Sequence, residues 1–257
     1  MDNSKLQYHI HLRQGDVGRY VLLPGDPGRS EKISRYLDES KFVAQNREYT
    51  TYTGKLLGER VSVVSTGIGC PSTAIAVEEL IKIGADTFIR IGTSGAMQTY
   101  IDTGDIAIVT GAIRDEGTTI HYMPVEFPAI ANLEVANALI QGAKGENIPY
   151  HVGISHSKDS FFGELEPSRM PVEKRLKERW YAWVSGGAIC SEMESAAIFI
   201  ISSIHKKRAG GVMLMFGHHE PIPNPEEEVD ENSLFNVDRV IKVAIAGLKT
   251  LIINDRL

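Results

Sequence analysis

Twice in this chain a short apolar run breaks into a glycine corner that carries an arginine. The first copy is Tyr20-Val21-Leu22-Leu23-Pro24-Gly25-Asp26-Pro27-Gly28-Arg29 and the second is Thr87-Phe88-Ile89-Arg90-Ile91-Gly92-Thr93-Ser94-Gly95. At each corner, buried strand residues give way to positions without side-chain bulk, so main-chain N–H groups and one guanidinium can converge on an anion. Arg90 is the stronger signal, because an arginine inside an apolar strand must find a partner or pay heavily for its burial. Two such corners predict a phosphate gripped from two sides, with Thr93 and Ser94 adding hydroxyl donors from the loop after the second run.

The phosphate is expected to be small. With a formal net charge of −6, the chain offers no Lys/Arg cluster long enough to track a nucleic-acid backbone; His205-Lys206-Lys207-Arg208 is the densest and reads as a helix end. An apolar share of 42% over 257 residues supports a large core. No composition shift or Ser/Pro-rich linker divides the chain, so residues 1–257 read as one domain. Cys70 and Cys190 are too few for a disulfide framework and fit a reducing cytoplasm. No apolar signal segment follows the polar start, and the longest apolar stretch, around residues 196–204, is broken by serines, so neither export nor a membrane partner is expected. Glu226-Glu227-Glu228 reads as a solvated loop.

Strand-like runs at residues 20–23, 60–65, 87–91, 105–113, 150–155 and 211–216 alternate with helical spacing, which predicts an α/β domain with helices packed on a sheet. Pro71 opens one helix, with Ala74, Val77, Leu80 and Ile81 on its apolar face. A last helix gathers Val237, Val240, Ile241, Ala244, Leu248 and Leu251 on one side. Residues 47–57 alternate as an antiparallel ribbon does, so the sheet is expected to be mixed. Residues 161–171, with two prolines and a glycine, read as a long loop covering a site.

Ser191-Glu192-Met193-Glu194-Ser195 stands at a strand-to-helix junction. It suits either an acidic first turn that complements the helix dipole or a polyol site, where carboxylates accept from vicinal hydroxyls and a thioether packs on the ring. Gly67-Ile68-Gly69-Cys70-Pro71-Ser72 only superficially resembles a dinucleotide loop, since it lacks the third glycine and follows a later strand. No triphosphate-binding loop and no zinc spacing occurs, and the adjacent His218 and His219 read as lining a loop rather than meeting a ligand.

Taken together, the two corners, Asn46-Arg47-Glu48-Tyr49, Ser65-Thr66-Gly67-Ile68-Gly69 and Ser191-Glu192-Met193-Glu194-Ser195 resemble the nucleoside phosphorylase family, and within it the uridine phosphorylases, in family order over nearly the whole chain. The resemblance implies an α/β fold around a mixed, partly barrel-like central sheet flanked by helices. It implies a homo-hexamer, a trimer of dimers with active sites shared across the dimer interface. The implied reaction turns a nucleoside and inorganic phosphate into free base and ribose 1-phosphate, with no cofactor required. By the same resemblance, Gly25, Arg29, Arg90 and Thr93 hold phosphate, with Arg47 reaching in from a neighbouring subunit. Met193, Glu194, Glu192 and His9 hold ribose. Arg90, Glu194 and Arg169 carry the catalysis, and Glu48, Ile68 and Ser72 match positions that bind a structural potassium ion in some members.

The base end departs from the pattern. Thr93, Ser94, Gly95, Phe161 and Arg169 match base-binding positions, but Glu164 stands where a glutamine is expected. An ionised carboxylate only accepts, so one uracil carbonyl loses its donor. Purine-specific relatives carry an aspartate after the last strand, where this chain has Phe216-Gly217-His218-His219-Glu220. Uridine is therefore the leading substrate. A purine nucleoside phosphorylase, a nucleosidase and a non-catalytic nucleoside-binding homologue remain as alternatives.

Overall fold

A computed structural model describes residues 5–218 and 236–257. The first strand, β1 (Tyr20–Pro24), runs into helix α1 (Pro27–Ser34), whose N-cap Asp26 accepts from the Gly28 N–H at 2.8 Å. An antiparallel meander follows: β2 (Asp38–Asn46), β3 (Tyr49–Leu56) and β4 (Glu59–Val64). This is the ribbon that the alternation over residues 47–57 predicts. Helix α2 (Cys70–Lys82) starts on Pro71, where a missing N–H costs nothing, and buries Ala74, Val77 and Leu80. Beyond it lie β5 (Thr87–Ala96), β6 (Ile106–Asp115), the short β7 (Ala129–Ile130), α3 (Leu133–Gly145) and β8 (Tyr150–Lys158). The chain continues through α4 (Phe161–Leu165), α5 (Glu173–Ser185), β9 (Cys190–Glu192), α6 (Ser195–Ile204), β10 (Arg208–His218) and α7 (Asp238–Asn254).

One mixed sheet carries all ten strands. β5 pairs in parallel with β1 on one edge and with β10 on the other. From β10 the ladder continues through β6, β8 and β9 and returns to β5, so five strands close into a barrel, while β1, β4, β3 and β2 extend it as an open wing. Successive residues of β1 and β5 feed opposite cores. Val21, Leu23 and Phe88 join α2 and α6 on one face, whereas Tyr20, Leu22, Ile89 and Ile91 join α3 and α7 on the other. Both faces being covered is why these strands read as unbroken apolar runs. Helices α3 and α7 meet backbone to backbone, since a Cβ on Gly142 would sit 2.6 Å from the Val243 carbonyl oxygen.

Two expectations are corrected. Strand β5 runs through to Ala96, so Gly92, Thr93, Ser94 and Gly95 lie in the strand and not in a loop after it; pairing with β10 and β9 takes up their backbone groups. Residues 161–171 are not a structureless loop. Ser160 accepts from the Gly163 N–H and starts α4, and a 3-10 turn follows at Pro167–Arg169. The acidic run at residues 226–228 and His219 lie outside the described residues, and of His218 only the backbone, closing β10, is described.

Candidate active site

Arg90 stands in the middle of β5 with its side chain 5% exposed. Its Nε donates to Glu192 Oε2 at 3.0 Å, and its Nη2 pairs closely with Glu194 Oε2. Its Nη1 is buried and has no hydrogen-bond partner. Gly92 makes the room, because a Cβ there would lie 3.0 Å from Arg90 Nη2 and 2.3 Å from Met213 Sδ. Arg29 comes from the first turn of α1 and sends Nη1 toward the Ile91 carbonyl at 3.4 Å. Burial first, and then the charge of Arg90, push the Arg29 pKa down, so two neighbouring guanidinium groups repel across this corner. Main-chain bonds from Thr66 N to Pro24 O at 2.9 Å and from Gly67 N to Gly25 O at 3.0 Å lay the loop after β4 against Gly25. Arg29 thus brings the first glycine corner beside the second at Ile91.

Both carboxylates of the strand-to-helix junction are inside. Glu192 has 0% of its side chain exposed. Its Oε1 takes the hydroxyls of Ser155 and Ser157, and its Oε2 takes Arg90 and the N–H groups of Glu194 and Ser195 at 2.8 Å each. Burial alone would raise its pKa, yet Arg90 and these donors hold it low. Glu192 therefore holds the start of α6 and clamps Arg90, with its oxygens taken up; both carboxylates precede the helix, whose first turn carries no acidic residue, so the acidic-first-turn reading is corrected. Glu194, 4% exposed, accepts the Gly69 N–H at 2.7 Å on Oε1; burial, reinforced by the charge of Glu192, raises its pKa. The Gly67–Gly69 stretch that superficially resembles a dinucleotide loop thus serves to pin a carboxylate. Met193, half-buried, offers its carbonyl to Cys70 Sγ at 3.2 Å.

The surroundings of Glu164 are organised by side chains that the sequence reading did not single out. Lys158 ends β8 with its side chain 9% exposed, pairing with Glu164 Oε1 at 3.0 Å and donating to Ser191 Oγ at 2.8 Å. Glu164 Oε2 accepts from Ser191 Oγ at 2.6 Å and lies 3.1 Å from His156 Nδ1. His156 Nε2 reaches Asp115 Oδ2 at 2.9 Å. Burial opposes charge on this imidazole, but the two carboxylates outweigh it and raise the His156 pKa. A cavity of about 190 Å³ lies between these residues and α5, bordered by His156, Lys158, Glu164, Arg179 and Trp180, and Arg90, Gly95 and Glu194 do not line it. Arg169 is not brought to Glu164: its side chain is 65% exposed, paired with Glu166 at 2.5 Å and set over the Phe162 ring. Phe161 is exposed. Ser94 Oγ donates to the Ser191 carbonyl at 2.5 Å, and Gly95 pairs with Ser191 across β5 and β9. The signal for Lys158 was the one that exposed Arg90, a cation in a strand that buries its neighbours.

On the opposite side, His9 Nδ1 lies 2.7 Å from Glu79 Oε1, and Asn46 Nδ2 donates to the His9 carbonyl at 2.7 Å. Arg47 follows at the β2–β3 turn with φ 53°, exposed. Glu48 Oε1 accepts from Ser72 Oγ at 2.5 Å, a bond that lowers the Glu48 pKa, and Ile68 is 78% exposed between them in sequence. Among the described residues, no helix is long and apolar enough to cross a membrane, and no three His, Cys, Asp or Glu side chains group as metal ligands. Cys70 and Cys190 are free and buried, and burial pushes the Cys190 thiol up to about 12.

The phosphorylase superfamily model matches residues 19–252. The chain is 46% identical over 253 residues to a uridine phosphorylase of Treponema pallidum, an alignment that spans 98% of this chain and 97% of that one. To the uridine phosphorylase of Escherichia coli it is 36% identical, over 95% of this chain and 98% of the other. It is also 34% identical to a guanosine phosphorylase of Halorubrum lacusprofundi, over 95% and 99%.

Proposed function

The chain belongs to the phosphorylase superfamily, and on that footing we propose that it cleaves a pyrimidine nucleoside with phosphate, uridine first, giving uracil and ribose 1-phosphate. The observation that carries this reading is the Arg90 guanidinium, whose buried Nη1 lacks an acceptor beside a second, repelled guanidinium at Arg29. A buried N–H needs a partner, and an oxyanion lying between two cations supplies it. Gly25, Arg29, Arg90 and Thr93 hold phosphate beneath C1′, and Met193 and Glu194 hold the ribose. Fixing the nucleophile in line removes the entropy of a bimolecular encounter, and the Glu194 carboxylate steadies the positive character that the sugar gains. Glu192 contributes by holding Arg90 and the start of α6. Thr93, Ser94, Gly95, Phe161, Glu164 and Arg169 form the base end, which Arg169 joins by turning in from Glu166.

The same reading makes the molecule a trimer of dimers in the cytoplasm, serving pyrimidine salvage. His9 and Arg47 support it, since the Asn46 bond to the His9 carbonyl puts both on one exposed patch, suited to reaching a partner's ribose and phosphate. The oxygens of Glu48 and Ser72 are chemically suited to a potassium ion, which they would hold with Ile68 as a structural element. The test is release of base and ribose 1-phosphate from uridine, thymidine, cytidine, inosine, guanosine and adenosine, with and without phosphate. Uracil release only with phosphate is expected. Release without phosphate makes the protein a nucleosidase, faster cleavage of guanosine or inosine makes it purine-directed, and binding without product makes it non-catalytic.

A further inference from the structure

We propose that Lys158 is a catalytic residue that donates to a carbonyl oxygen of the departing base, held in place by Glu164 and Ser191. The inference rests on the phosphorolysis reading above and adds to it the cation that receives the leaving group. Strand register supplies the placement. Gly95 is the cross-strand partner of Ser191, and Ser191 is the cross-strand partner of His156, so the three form one row on one face. Lys158, two residues beyond His156 along β8, shares that face. A base lying over Gly95, which has no side chain of its own, is therefore beside Ser191, whose Oγ the Lys158 ammonium meets at 2.8 Å.

An ammonium has three N–H donors. Two of those on Lys158 go to Glu164 Oε1 at 3.0 Å and to Ser191 Oγ at 2.8 Å, and no third partner stands among the described residues. Stability alone gives little reason for such an arrangement, because a buried ion pair returns roughly what its desolvation costs. The chemistry gives a better one. As a phosphate oxygen bonds to C1′, the C1′–N bond breaks and its electron pair leaves with the base, where it spreads onto the ring carbonyls. The base recovers its proton from the hydrogen phosphate, which gives it up on becoming an ester. A fixed cation at the carbonyl stabilises that charge as it develops, in a site where it needs no reorganisation. Arg169, assigned to the same end by resemblance, is turned out to Glu166.

The experiment compares uridine with 5-fluorouridine, whose more acidic base leaves with less assistance, in the full-length wild-type protein and in Lys158→Met and Lys158→Arg. Lys158→Met is expected to lower kcat on uridine about a hundredfold, in line with loss of a single oxyanion donor. On 5-fluorouridine the loss is smaller by at least threefold, the KM for phosphate is unchanged, and Lys158→Arg restores part of the uridine rate. Equal losses on both substrates, or none, overturn the proposal and leave Lys158 a structural tie. If Lys158→Met does not fold, Glu164→Gln is scored by the same ratio of substrates: a ratio shifted toward 5-fluorouridine supports the role of Lys158, and an unshifted one overturns it. Wild-type cleavage that needs no phosphate sinks the phosphorolysis reading itself, an outcome separate from any result at Lys158.

Discussion

Arg90 and Arg29 face the same corner but differ in what their removal leaves behind. Arg90→Ala strips the counter-charge from Glu192 and Glu194, whose side chains are 0% and 4% exposed. Breaking a buried pair in this way costs about 3–5 kcal/mol. At about 2–4 °C per kcal/mol for a chain of this size, the melting temperature falls by roughly 6–20 °C. Arg29 forms no close ion pair among the described residues, with Asp26 as its favourable neighbouring charge, and is held by one long bond to Ile91 O at 3.4 Å. Arg29→Ala is therefore expected to melt within about 2 °C of the wild type, while losing one charge-assisted hydrogen bond to phosphate worth about 1.5–3 kcal/mol, or roughly 10- to 100-fold in phosphate KM. Thermal melts with and without phosphate, paired with phosphate-dependent kinetics, read both effects. Arg90→Ala is thus expected to lose both fold stability and activity. An Arg90→Ala protein that melts with the wild type would falsify the buried clamp, and an Arg29→Ala protein with unchanged phosphate KM would remove Arg29 from the site.

Asp255 is held at a pKa of about 2, first by Arg208 and with help from the Tyr20 hydroxyl at 2.7 Å. A carboxyl depressed from 3.8 to about 2 stabilises the fold above its unfolded pKa by about 2 kcal/mol and loses that as pH falls from 4 toward 2; Asp255→Asn should flatten the urea-midpoint profile there, and an unchanged profile refutes the assignment. His156, raised above its ordinary 6.5, stabilises most fully below that pH and less as pH climbs through its folded value, so the wild type should lose melting temperature on the alkaline side relative to His156→Gln, and parallel curves would count against the imidazolium bridge. At the contact between α3 and α7, Gly142→Ala should cost about 1–3 kcal/mol, because the new Cβ meets main-chain atoms that cannot rotate away. Gly145→Ala, in the same helix with nothing within 4 Å, should be neutral or gain about 0.5 kcal/mol, so two equal shifts in calorimetry would contradict the close approach.

Much of the arrangement was legible where a residue was out of keeping with its surroundings. Arg90 in an apolar strand announced a buried counter-charge, which the structure supplies as Glu192 and Glu194, and the continuous runs of β1 and β5 announced a sheet covered on both faces. Thr93 to Gly95 were misplaced into a loop because glycine and hydroxyl residues mimic a turn; the second edge of β5, supplied by β10 from more than a hundred residues away, makes them strand. The same non-locality hid the task of Gly69, whose N–H finds Glu194 only through tertiary structure. Lys158 escaped notice because β8 is exposed on one side over its first half and buried only from Ser155 on, so its polar end, His156-Ser157-Lys158, looked like a strand running out. Helix α4 was concealed by its length, since five residues carry too little periodicity to stand out from a loop.

Arg90 and Glu164 are carried on parts of unequal rigidity. β5 is bonded along both edges within a closed ring of strands, and its amides should be among the last in the molecule to exchange with deuterium. Phe161, Glu164 and Arg169 instead ride on one short helix and a 3-10 turn, moored to the ring by Glu164. Substitutions in the α4 segment are therefore expected to act on what Glu164 touches while leaving the strand that carries Arg90 in place.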